Sequence, residues 1–376
     1  MSASLEELTV DPHAVLARLR ATAPVAWVSA LGGFLVTRRD LVVEVLRDDV
    51  AFTVDDPRFS TARVVGHSML SRDGEEHARH RAAFAGAWRK ASIRATFAGW
   101  VRGEADRLVA QVRPAGIAEL REALAGPLAA AAMRRALGLE HLAVADVLGW
   151  YRDIVAAVSA LSAGRALPAS GTSAYAALRD AVADTVATQA PTLTREEASS
   201  NAAILLFGGI ETTEGMIATL LLHLLADQGT LRSVREDRAL LSAAVEESLR
   251  LEPAAAVVDR YATSGVDLAG VHIPQGALVV VSLAAANRDP AAFEDPDRFD
   301  LHRPTGRSNL AFATGPHVCL GMHLARLEAL AAAEAVLDGL PDLALDHDAS
   351  TPPSGLVFRK PARVVARWQR SESLAG

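Results

Sequence analysis

Apolar residues along the first 250 positions recur at helical spacing, as in Leu108-Val109-Val112 and Leu240-Leu241-Val245-Leu249, with short Gly, Pro and Ser interruptions between the runs. The pattern predicts a mainly α protein. Between Val257 and Leu283 the texture changes to short β-branched runs, Val271-His272-Ile273 and Leu278-Val279-Val280-Val281, divided by the turn signal Pro274-Gln275-Gly276. A small β region is expected there. From Asn287 to Asn309 the chain is dense in Asp, Pro and Arg and reads as irregular, and helical spacing resumes over Met322–Leu337. Ala163–Ser173 reads as a flexible loop, and the closing Ser-Glu-Ser-Leu-Ala-Gly as a disordered tail.

One predicted helix breaks its own rules. Thr194-Arg195-Glu196-Glu197 fits a capping box and Gly229 supplies a stop, which predicts a central, buried element about 50 Å long. Its middle holds Gly208-Gly209-Ile210-Glu211-Thr212-Thr213. Each glycine costs roughly 1 kcal/mol against alanine, and a carboxylate stands in an apolar setting. Two explanations fit. The breach marks a functional site, where glycine admits another group to the backbone and Thr212 turns its hydroxyl to the Gly208 carbonyl. Alternatively, neighbouring helices pack closely at the glycines and Glu211 sits in a salt bridge.

Composition narrows the classes. Half of the 376 residues are hydrophobic and 5% are aromatic, enough for a large core and against disorder, fibrous structure or a disulfide-stapled scaffold. A net charge of −7 argues against broad nucleic-acid binding. Arginine supplies nearly all the positive charge, with Lys90 and Lys360 the only lysines. The N-terminus lacks a basic segment followed by a continuous apolar stretch, and apolar runs such as Ala198–Ile210 fall short of the roughly 20 residues a membrane crossing needs. A soluble protein with no membrane contact is expected. The single cysteine, Cys319, cannot form an internal disulfide, which points to a reducing cytoplasm.

The surroundings of Cys319 carry the chemistry. Phe312-Ala313-Thr314-Gly315-Pro316-His317-Val318-Cys319-Leu320-Gly321 is a Gly/Pro-stiffened loop running into a helix, so the thiol stands near a helix N-terminus, where a thiolate is favoured. For a nucleophile, His317 is too close in the chain to be an obvious base, leaving His323 or a distant histidine. No Cys-x-x-Cys or His-x-x-x-His companions exist for a zinc site. A metal held by one protein ligand because a macrocycle supplies the rest, haem, is the remaining option.

The loop resembles the haem-ligand loop of the cytochrome P-450 superfamily, Phe-Gly-x-Gly-x-His-x-Cys-x-Gly, with Ala313 where glycine is usual; Leu324-Ala325-Arg326 and Glu328 continue the match. Further matches follow the family's order: His77-Ala78-Arg79-His80-Arg81, the Gly208–Thr213 segment, Glu247-Ser248-Leu249-Arg250 and Asp259-Arg260. The resemblance implies a single-domain cytochrome P-450 fold over residues 1–376, mainly α with a small β region and a long central helix over the haem. It implies haem b (iron protoporphyrin IX) with Cys319 as the metal ligand. His77, Arg81, Arg260 and His317 would meet the propionates, and Phe312, Gly315 and Gly321 would shape the cofactor loop. Gly208 would open room for O2, and Glu211 and Thr212 would conduct protons to it. Glu247 and Arg250 would form a buried ion pair with Arg298 as third member.

The implied activity is monooxygenation of a small organic substrate, most often hydroxylation, with a ferredoxin and ferredoxin reductase as electron donors; Arg326, Arg89 and Lys90 are docking candidates. Coupling, desaturation, peroxide-driven oxidation and a non-enzymatic haem sensor or carrier are the alternatives. Expected pocket linings are Ser60–Leu70, Trp150–Ser162, Leu205 and Gly208, Ala254–Val258 and Ser354–Phe358. Most of these are small and apolar, which predicts a moderately sized, largely apolar substrate.

Overall fold

The computed structural model describes residues 3–162, 165–304 and 309–370. The predicted tail, 371–376, and Ala163-Gly164 of the predicted loop lie outside the described residues. The end of that loop is helical instead: Ala169 opens a helix that runs to Gln189, with extended Pro168 at its N-cap.

The central helix spans Arg195–Ala226, 32 residues, or about 48 Å at the usual rise. Its start is the predicted capping box. The Thr194 hydroxyl accepts from the Glu197 N–H, and the Glu197 carboxylate accepts from the Thr194 N–H. Its end comes earlier than Gly229. Asp227 turns extended and N-caps a second helix, Gln228–Glu236, by accepting from the Thr230 N–H at 2.6 Å, so Gly229 lies in that helix's first turn. The central helix is long and apolar enough to cross a membrane by composition, contrary to the run-length estimate from sequence, yet 83% of its most apolar window is buried inside the protein. Helices Gly126–Ala136, Ala169–Gln189, Leu240–Leu251 and Met322–Gly339 pack around it, which is why it is apolar on nearly every face.

The β region forms where expected. Five strands lie in the order Val25–Val28, Gly33–Val36, Leu278–Ser282, Val257–Ala262, Phe52–Thr53. Val257–Ala262 runs antiparallel to Leu278–Ser282 with Arg260 opposite Val279. A short C-terminal hairpin pairs Pro353–Ser354 with Lys360–Pro361.

Glu247 and Arg250 are fully buried, bonded side by side at 2.8 and 2.9 Å. Arg250 also donates to the carbonyls of Asn287 (2.9 Å), Pro296 (2.6 Å) and Arg298 (3.1 Å), tying the irregular chain to the helix Leu240–Leu251. The third ionic member is Arg303, not Arg298: Arg303 Nε donates to Glu247 Oε1 at 3.0 Å. Arg298 contributes only its carbonyl, and its side chain points outward toward Asp300.

Candidate active site

The cysteine loop is shaped by its glycines. Gly315 has φ +77°, and a Cβ there would run into the Leu46 carbonyl, so only glycine fits. Ala313 also adopts a left-handed φ, +57°, accepting strain where the family pattern has glycine. The Cys319 N–H donates to the Phe312 carbonyl at 3.0 Å, closing the loop, and Gly321 N-caps the helix Met322–Gly339. Cys319 is exposed and lines a cavity of about 640 Å³. Burial pushes the thiol up, against the backbone N–H groups of Gly321 and Met322 and the positive charges of Arg81 and Arg326, which favour a thiolate.

Across this cavity runs the central helix. Gly208 faces the open space: a Cβ there would meet nothing within 4 Å. Gly209 does not, because a Cβ would strike the Met133 side chain. Gly209 is thus a packing glycine, while Gly208 leaves the helix open to the cavity. Thr212 donates to the Gly208 carbonyl at 2.5 Å, as its spacing predicts. Glu211 is 5% exposed and sits in an ion cluster: Lys360 Nζ lies 3.0 Å away, and the Tyr151 hydroxyl also bonds its carboxylate.

The polar wall lies at the opposite edge. Arg81, Arg260 and His317 line the cavity. Among the described residues neither Arg81 nor Arg260 makes an ion pair. Arg81 donates to the Val318 carbonyl at 2.8 Å and Arg260 to the carbonyl of its neighbour Asp259 at 2.8 Å. Arg260 is 5% exposed. Burial lowers the affinity of both guanidinium groups for their protons; the Cys319 thiol offsets part of this for Arg81, and Asp73, Asp259 and Asp49 part of it for Arg260, and an anion at this wall would offset it further. His77 sits behind His317, its ring 4.3 Å away, rather than on the wall itself, and its buried Nε2 has no partner among the described residues. Burial first, then the neighbouring His317 and Arg81 charges, hold His77 at about 4. His317 Nε2 is bonded to Asp73 at 2.7 Å. Although burial works to raise Asp73, hydrogen bonds from His317, the Thr53 hydroxyl and the Val54 N–H hold it at about 2.

A buried Arg260 and a half-buried Arg81, neither paired with a carboxylate among the described residues, line one cavity with a lone thiol, and an orphaned histidine nitrogen stands behind them; this set fits a flat, dianionic macrocycle whose metal needs one protein ligand. They do not fit a multi-ligand metal ion. The other acid–histidine group, Glu76, His80 and Glu197, is already bridged by Arg79, at 2.7 Å to Glu76 and 2.5 Å to Glu197.

The remaining walls are apolar and follow the expected segments: Phe59, Thr61, Met69 and Leu70; Val155 and Val158; Ile204 and Leu205; Ala254, Ala255 and Val258; Leu356 and Phe358. Sequence reasoning missed Leu5 and Thr9 of the N-terminal helix Leu5–Val10. They reach the cavity because the Thr9 carbonyl accepts from the Gly355 N–H (2.9 Å) and Arg359 (3.1 Å), contacts separated by about 350 positions that no local pattern signals. Of the docking candidates, Arg89 and Lys90 are exposed. Arg326 is not free: it pairs with Glu246 at 2.5 and 3.1 Å and lies over the Phe312 ring.

Glu328 lies on the helix after the cysteine, lines the cavity and is 1% exposed with Oε2 unpartnered. Burial pushes its carboxyl well above 4.5. Above that ordinary value the unfolded chain releases a proton that the fold retains, so stability falls as pH rises toward the raised value. Glu328→Gln, an isostere of the neutral acid, should flatten this slope when the holoprotein is unfolded by denaturant at about pH 5 and about pH 8. A slope as steep as wild type would contradict the burial argument.

The sequence model of the cytochrome P450 family matches residues 169–340. Cytochrome P450 monooxygenase PikC of Streptomyces venezuelae is 35% identical over 366 residues, covering 91% of this chain and 86% of PikC. Nocardicin C N-oxygenase of Nocardia uniformis subsp. tsuyamanensis is 32% identical, covering 96% and 97% of the two chains. The solved structure of P450BioI, in complex with hexadec-9Z-enoic acid ligated acyl carrier protein, is similar with a TM-score of 0.85 at 27% identity over 96% of this chain and 98% of that one. With a lone thiol and two unpaired cations around one cavity, this chain belongs to the bacterial-type cytochrome P450 family, haem-iron monooxygenases that oxidise organic substrates with O2 and electrons from redox partners.

Proposed function

We propose that residues 1–376 form one soluble, cytoplasmic monooxygenase domain that binds haem b and oxidises, most often by hydroxylation, a moderately sized and largely apolar molecule. The observation that carries this reading is that half-buried Arg81 and buried Arg260, neither ion-paired among the described residues, face the same cavity as the Cys319 thiol. Cys319 is the iron ligand. Arg81 and Arg260 hold the propionates, with His317 beside them and the orphaned His77 Nε2 within the same polar edge. Phe312, Gly315 and Gly321 set the loop that presents the sulfur. The bound haem supplies O2 activation, with electrons from a ferredoxin and its reductase that dock near exposed Arg89 and Lys90.

The chain's own residues manage water and protons. Gly208 leaves room beside the helix, and the Thr212 hydroxyl, held by the Gly208 carbonyl, can swing to pass a proton into that room. Glu211 stands behind it as the acid that exchanges with solvent. The apolar walls order the substrate by shape and keep bulk water from the site.

Replacing Thr212 with alanine removes the hydroxyl and leaves the packing. Spin-state response to substrate and the carbonyl spectrum should match wild type, while product formed per NAD(P)H falls about tenfold or more and peroxide rises. An unchanged coupling ratio would remove the proton-passing role and favour a peroxide-driven enzyme.

A further inference from the structure

Glu211 is held by two elements that also line the cavity. Tyr151, which bonds its carboxylate, belongs to the helix Val144–Ser162, and Val155 of that helix lines the cavity one turn further on. Lys360 belongs to the C-terminal hairpin, whose Leu356 and Phe358 also line the cavity. Lys360 Nζ stands 3.0 Å from Glu211 and 2.9 Å from Glu214, one turn along the central helix, while Arg121 holds the outer oxygen of Glu214 at 2.7 Å. Both carboxylates are 5% exposed. The hairpin comes this close because Gly215 has no side chain: a Cβ there would press on Lys360 Cβ at 3.2 Å. Burial, with the two carboxylates, pushes the Tyr151 hydroxyl far up, so it remains a donor to Glu211.

We propose that Lys360 is a positioning residue: its ammonium, carried by the substrate-contacting hairpin, sits between Glu211 and Glu214 and keeps the Glu211 carboxylate free to take up and release protons. Both buried carboxylates accept from the same Tyr151 hydroxyl and the same Lys360 ammonium, which brings them close enough to share one proton once that ammonium is gone, Arg121 then compensating only Glu214. Without Lys360, Glu211 is locked to Glu214 through that shared proton and leaves the relay. Because the ammonium arrives on the hairpin that carries Leu356 and Phe358, substrate contact there and readiness of the acid are mechanically linked.

This inference rests on the proton-relay reading above, and the experiment separates the two. Lys360→Met, Lys360→Arg and Glu211→Gln are prepared as holoproteins and accepted only with a wild-type carbonyl spectrum. Lys360→Met should lower product per NAD(P)H at least threefold with the substrate dissociation constant unchanged. Lys360→Arg should restore most of the coupling. The infrared difference spectrum, Lys360→Met minus wild type, should show a new protonated-carboxyl band that shifts in heavy water and is lost when Glu214→Gln is added. Wild-type coupling in Lys360→Met, with Glu211→Gln uncoupled, overturns the inference and leaves the relay standing. Wild-type coupling in both overturns the relay reading itself. Absence of the carboxyl band overturns the shared-proton account whatever the coupling.

Discussion

Arg250→Met should cost about 3–5 kcal/mol, the usual penalty for breaking a buried ion pair from one side, and most of the variant should lose its haem on purification. The size follows from what the guanidinium does. It is wholly buried, it neutralises Glu247, and it is the donor to three carbonyls of the irregular chain. Methionine fills the volume but takes away the donor to the Asn287 and Pro296 carbonyls, while the Arg298 carbonyl keeps Arg303 at 3.3 Å. Glu247 keeps only Arg303 and the Asp300 N–H. The loss is large against the 5–15 kcal/mol that usually separates folded from unfolded chains. Since the irregular segment leads directly into the cysteine loop, its release also frees the sulfur. Denaturant unfolding measures the stability, and the haem-to-protein absorbance ratio measures the second consequence. A variant within about 1 kcal/mol of wild type would show that the pair is ornamental.

Arg260→Met should weaken haem retention by about 10- to 100-fold, the worth of one or two charge-assisted hydrogen bonds. The apoprotein should be as stable as wild type or more so. Arg260 is a buried charge whose one bonded partner among the described residues is its own neighbour's carbonyl. Without an anion opposite, such a charge costs the fold free energy, so replacing it with an apolar side chain of similar length is neutral or favourable. A purely structural arginine gives the reverse: lost apoprotein stability and unaltered retention. Transfer of haem to an excess of apomyoglobin reads one quantity and denaturant unfolding of the apoprotein the other.

The parts of this account legible in the sequence are those fixed locally. The Thr194 capping box, the Thr212 to Gly208 hydrogen bond and the Phe312–Gly321 loop all lie within ten residues, and each forms as its spacing predicts. The helix end was misplaced because Asp227 serves two helices, ending one and capping the next, so Gly229 marks no stop. The family resemblance points to Arg298 as the ion-pair partner. In the fold its carbonyl faces inward, and Arg303, five residues on, makes the contact. Arg326 gave no hint that Glu246, 80 positions away, would occupy it. The Lys360 contact with Glu211 spans 149 positions and depends on a glycine at 215 that no pattern distinguishes from any other helix glycine.

Placing His77 behind His317 also alters the propionate edge. Helical spacing sends positions 77 and 81 in one direction, yet Arg81 lines the cavity while the His77 ring lies against that of His317. On the proposed reading His77 bears on that edge through its contact with His317, whose other partner, Asp73, is a carboxylate.

The central claim is that Cys319 ligates a haem iron as a thiolate, and the carbonyl difference spectrum of the reduced holoprotein tests it most directly. The account predicts a red protein whose reduced carbonyl complex has the red-shifted Soret band typical of a thiolate ligand, and a Cys319→Ser variant that lacks this band. A wild-type protein that binds no haem, or binds it with a Soret band unchanged by Cys319→Ser, would contradict it.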